Sequence, residues 1–156
     1  MKYISKKFQP YMTNKDKKDY KNLKKSRLEY KKEVNKILND KRSEEKSFNS
    51  NLTYISRKIS KIDNLIFDIE FKAFECAEKN LCKEGNIICH DRAKGIKFLI
   101  GEKKNRDHYT CYDVHSMSKI KDIHWKSLVK FYSIDEISEP WKEKTWNTFQ
   151  NIFKNI

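Results

Sequence analysis

The sequence predicts an α+β fold: a long N-terminal antiparallel helical hairpin, a three-stranded antiparallel β-meander and two C-terminal helices. Three observations carry this. Apolar residues recur at helical spacing over the first half of the chain, and the period changes after Gly85. Only three glycines and two prolines punctuate 156 residues, which favours long regular elements. In this reading residues 1–84 form a basic hairpin arm and residues 85–156 a small α+β body, together one folding unit.

The first helix is expected over residues 14–46. Thr13 or Asn14 can cap it, and Asp16 and Asp19 lie near the positive end of its dipole. Its apolar seam runs Tyr20, Leu23, Tyr30, Val34 and Ile37, with Arg27 in the vacant heptad position. Ser47-Phe48-Asn49-Ser50-Asn51 reads as a turn. The second helix has the strongest periodicity: Leu52, Ile55, Ile59, Ile62, Ile66, Ile69, Ala73 and Cys76 alternate spacings of three and four. A short turn between two such helices favours an intrachain hairpin and a monomer over a coiled-coil dimer. Gly85 then stops the helix.

Asn86–His90, Ile96–Gly101 and His108–Val114 read as three strands joined by the turns 91–95 and 102–107. A helix capped by Ser116 or Ser118 is expected to run to about Tyr132, with Ile120, His124, Leu128 and Phe131 on one face. Ser138-Glu139-Pro140 opens the last helix, whose apolar side holds Trp141, Trp146, Phe149, Ile152, Phe153 and Ile156.

Charge points to a polyanionic partner. The formal net charge is +13, and residues 1–46 carry +9 of it against +4 in residues 47–156. Codon bias toward lysine explains the excess of Lys over Arg better than it explains the net charge, because it also enriches acids. Lysine pairs recur every seven residues at Lys17-Lys18, Lys24-Lys25 and Lys31-Lys32, joined by Lys21 and Lys36. On a helix these pairs project to one side about 10.5 Å apart, a row suited to a phosphate backbone. The bland alternative is a solvated helix face, but only Glu29 and Glu33 interrupt the row. The meander adds Lys94, Lys97, Lys103, Lys104 and Arg106 around Tyr109, with cations for phosphates and a ring for stacking.

The expectation is a non-enzymatic nucleic-acid-binding protein, with RNA or a ribonucleoprotein preferred to DNA. One rival is a phage or mobile-element inhibitor that binds a host nucleic-acid-processing or defence complex. A second is a small metal-independent RNase of toxin type drawing on His90, His108 and His115. A guessed register, 90 with 96 and 102 with 107, puts His90 and His108 on opposite sheet faces. Cys82, Cys89, Cys111, His90 and His115 lack paired zinc-ligand spacing, so no metal or cofactor is expected. Part of the C-terminal aromatic helix is a candidate protein contact. With no export signal or apolar span, the expected location is the cytoplasm and not a membrane.

Overall fold

The computed structural model describes residues 6–40, 45–136 and 139–153. It confirms the α+β class: two long N-terminal helices, an antiparallel sheet and C-terminal helices. The chain divides into two compact units, Met1–Ala73 and Phe74–Ile156, with the boundary inside the second helix.

In the first unit a 3-10 turn, Lys6–Tyr11, precedes helix α1, Asn14–Asn39. Thr13 is the N-cap, its hydroxyl accepting from the Asp16 N–H at 3.0 Å. Helix α2 spans Glu45–Leu81. The helices pair within one chain. The Tyr20 hydroxyl donates to Glu70 Oε1 at 2.9 Å, and Arg27 bridges to Asp63. Seven residues forward on α1 match seven residues back on α2, which is an antiparallel register.

The helix boundary differs from the sequence reading. α1 ends at Asn39, where Asp40 turns extended and its N–H bonds the Ile37 carbonyl. Residues 41–44, the predicted end of the first helix, lie outside the described residues. The expected turn at 47–51 is helical instead. Asn and Ser disfavour a helix interior by only about 0.7 kcal/mol each or less, so a long apolar seam can carry them.

That seam is largely as read. Ile55, Ile62, Ile66, Ile69 and Ala73 are buried, and Leu52 and Ile59 half-buried. Cys76 is exposed, and the buried stripe passes to Ala77 and Leu81 instead. A straight helix drifts about 20° per heptad, which moves the covered stripe onto i+4 neighbours. The carbonyls of Asn80 and Leu81 at the end of α2 accept from the Asn86 side-chain amide. Gly85 follows at φ +90°, a conformation that a side chain would strain.

The second unit is built on a five-stranded sheet in which, counting strands along the chain, the fourth lies at one edge, followed by the third, second, first and fifth. The three expected strands are there as β1, Ile87–His90, β2, Lys97–Lys104, and β3, His108–Asp113. β2 runs past Gly101 to a tight turn in which Asn105 takes φ +57°. Two further strands extend the meander: β4, Lys119–His124, and β5, Tyr132–Ile134.

The helix expected from 116 to 132 is therefore confined to α3, Trp125–Phe131. Ile120, His124, Leu128 and Phe131 fit a helical period by coincidence. Ile120 and Phe131 are in fact exposed, while β4 pairs along β3. The turn ahead of β4 is held by Asp113, whose carboxylate accepts from the N–H groups of His115 and Ser116 at 2.7 and 3.0 Å. Those bonds hold the Asp113 carboxyl below its ordinary pKa.

Ile88, Phe98, Ile100 and Cys111 are buried on one sheet face. On the other, Ile87 and Leu99 pack with Phe149 of α4, Glu139–Phe153. Trp125 is buried, as is Phe149, but Trp141 is 63% exposed and Ile152 also faces solvent. Ser138, Ile156 and the side chain of Phe153 lie outside what is described.

The burial pattern along α2 sets a test. Ile66→Ala removes a fully buried side chain and should lower stability by about 2–5 kcal/mol in urea unfolding. Leu65→Ala, one residue away but exposed, should change it by about 0.5 kcal/mol or less. Equal effects would contradict this assignment of the helix faces.

Candidate nucleic-acid interface

α1 turns one side to α2 and leaves its lysines outside. Tyr20 is buried, and Leu23, Arg27, Tyr30, Val34 and Ile37 are half-buried. Lys17, Lys18, Lys21, Lys25, Lys31, Lys32 and Lys36 are all exposed. Lys24 is half-buried, with its ammonium 4.9 Å from the centroid of the Tyr20 ring. Among the described residues no ion pair to a carboxylate engages Lys18, Lys21, Lys25, Lys32 or Lys36. Leu28 stands exposed among them, so the face is not purely ionic. Near the start of α1, Lys17, Lys21 and Lys24 edge a cleft of about 330 Å³ with Gln9, Met12 and Tyr20.

The cations of the sheet unit divide into two groups. Lys97 is half-buried and bound to Asp135 at 2.8 Å, and this partner raises its pKa. Lys103 bonds Glu78 at 2.8 Å and lies 5.2 Å from the centroid of the Tyr109 ring. The Tyr109 hydroxyl donates to the same Glu78 oxygen at 2.9 Å. Burial, then Glu78, pushes the Tyr109 phenol up to about 12. Tyr109 is buried, so its ring is not offered to a base, and Lys97 and Lys103 are engaged in holding the fold. Lys94, Lys104 and Arg106 remain exposed in or beside the turns.

The histidines read from sequence do not converge. β1 pairs β2 in the expected register, but β2 and β3 do not pair 102 with 107: Ile100 pairs Cys111 and, past a bulge, Lys103 pairs Tyr109. Alternation along the strands puts His90 on the face of Ile88 and His108 on the face of Thr110. His90 meets Phe131 and Tyr132, and His115 Nε2 lies 3.1 Å from the Gly95 carbonyl. The structure instead brings His124 beside His108, ring centroids 5.2 Å apart and edge to face. That neighbour was not legible while residue 124 was read as helical. His124 Nδ1 accepts from the Lys126 N–H at 3.1 Å and so caps α3.

No three His, Cys, Asp or Glu side chains among the described residues are placed to hold a metal. Burial pushes the Cys82 and Cys111 thiols up to about 12, which keeps them protonated. No described helix is long and apolar enough to cross a membrane.

No family model matches the sequence, and neither a curated protein nor a solved structure matches it.

The thiols offer a check of these environments. Native protein exposed to an aromatic disulfide reagent should label Cys76 first, and Cys82 and Cys111 only after denaturation. Rapid native labelling of Cys82 or Cys111 would show that the sheet unit is more open than described.

Proposed function

We propose that this chain binds nucleic acid, with RNA or a ribonucleoprotein as the preferred partner, through the lysine face of α1. The observation that carries the reading is the exposed row Lys18, Lys21, Lys25, Lys32 and Lys36. The seven-residue step from Lys18 to Lys25 to Lys32 is about 10.5 Å along the helix, and each ammonium is a mobile point charge suited to a phosphate. Lys17 and Lys31 widen the row toward the seam.

Such contacts fix position and carry no base code, so this face by itself accepts RNA and DNA alike. RNA is preferred because the sheet unit adds an aromatic-lined cavity edged by exposed Lys104, and exposed Lys94 and Arg106 in its turns. Unpaired bases on aromatic rings are the usual mode of RNA recognition. The proposed role is binding without catalysis, in the cytoplasm. Exposed Trp141 on α4 is where a protein of such a complex would make contact.

Replacing Lys18, Lys25 and Lys32 together with Gln tests the reading. Affinity for mixed-sequence single-stranded RNA should fall, and the slope of log K against log salt should flatten by about 0.7 per lost contact. The same three positions as Arg should retain most of the binding. Unchanged affinity and slope in the Gln variant would overturn the α1 reading. Loss of binding to a purified acidic protein, with RNA binding intact, would favour the inhibitor alternative.

A further inference from the structure

The sheet unit holds a cavity that the lysine face does not use. It measures about 220 Å³ and lies between β2, β3 and the last turns of α4. That is below the roughly 300–1,000 Å³ of sites for drug-sized ligands, so it suits one planar ring system and excludes a dinucleotide.

The cavity follows from a local sequence feature. The bulge between Ile100 and Lys103 re-aims the end of β2, and Gly101 sits in it. A Cβ at Gly101 would come within 2.6 Å of the Tyr112 ring and 3.2 Å of the Thr110 carbonyl. The missing side chain thus lets Tyr112 lie across the strand. Phe149 meets Tyr112 at a centroid distance of 5.4 Å, and Trp146 closes the wall beside Gly85. Tyr112 and Trp146 are half-buried rings of the kind on which a base stacks, and buried Phe149 backs them.

The polar lining completes the match. Gln150 brings an amide, with donor and acceptor side by side as on the edge of a base. Glu84 and Glu102 are exposed carboxylates that accept from exocyclic amino and ring N–H groups. Exposed Lys104 supplies positive charge where the phosphate of a nucleotide would lie, and exposed Lys119, paired with Asp122 at 3.6 Å, stands beside it.

We infer that this cavity binds a single nucleobase that carries an amino group, with its phosphate toward Lys104 and Lys119. The inference rests on the nucleic-acid reading and deepens it, because the cavity would supply the base contact that the lysines of α1 lack. The same chemistry is available from a free mononucleotide or from an unpaired base in an RNA strand.

NMR titration of the full chain separates these sources and tests the claim. AMP, GMP, CMP and UMP would be added singly, and mixed-sequence single-stranded RNA in parallel, while the Trp146 indole N–H and the Gln150 side-chain amide are followed. Saturable shifts are expected with at least one of AMP, GMP or CMP, smaller shifts with UMP, and weakening by about tenfold in Gln150→Ala. Shifts with the RNA alone would assign the cavity to a base within a strand and also support it. The Lys18, Lys25 and Lys32 Gln variant should keep the mononucleotide shifts, so failure of the α1 reading stays distinguishable. No shift at either reporter with any nucleotide or RNA would overturn the inference, and so would saturable shifts of equal affinity in Gln150→Ala.

Discussion

The register between α1 and α2 is the constraint on which the functional reading depends. Tyr20 with Glu70 and Arg27 with Asp63 fix both the pairing and the rotation of α1 about its axis. Arg27 occupies a seam position, and its side chain is only 13% exposed. A charge there is costly unless paired, which penalises registers that leave Asp63 elsewhere. With the seam turned to α2, the lysine row is on the opposite, exposed side of α1. A rotation of α1 by one residue, about 100°, would carry the row toward the seam's flank.

Neighbouring carboxylates decide which of the chain's many lysines are available. Lys97 and Lys103 belong to the same basic count as Lys18 and Lys25, yet Asp135 and Glu78 hold them. Glu78 has a double task, since it also accepts from Tyr109 and so links the last turns of α2 to β2 and β3. These contacts stabilise the sheet unit and subtract from its usable positive charge. Lys18, Lys21, Lys25, Lys32 and Lys36 of α1 have no such subtraction among the described residues, so basic charge is used differently in the two units.

Much of this architecture was legible because it is written in short periods. The i, i+3 and i+4 isoleucines of α2 and the alternating runs of β1, β2 and β3 each report the face they bury. The failures have physical causes. Asn49, Ser50 and Asn51 look like turn residues, but their propensity is weaker than the seam that follows them. Ile120, His124, Leu128 and Phe131 fit a helical period, yet residues 119–124 take their hydrogen bonds from β3, and pairing partners leave no mark on a local pattern. The exposed lysines of α1 were readable from spacing alone. The engagement of Lys97, Lys103 and Tyr109 was not, because Asp135 and Glu78 are remote in sequence. The cavity under α4 depends on a bulge and on Gly101, and a single glycine in a strand announces only that something approaches closely.

Lysine footprinting measures directly whether one face of α1 meets phosphate. Native protein would be acetylated at limiting reagent, with and without saturating single-stranded RNA, and each lysine quantified by mass spectrometry. RNA-dependent protection is expected at Lys18, Lys21, Lys25 and Lys32, with Lys97 and Lys103 modified slowly in both states because Asp135 and Glu78 already engage them. Equal modification of the α1 lysines with and without RNA would contradict it.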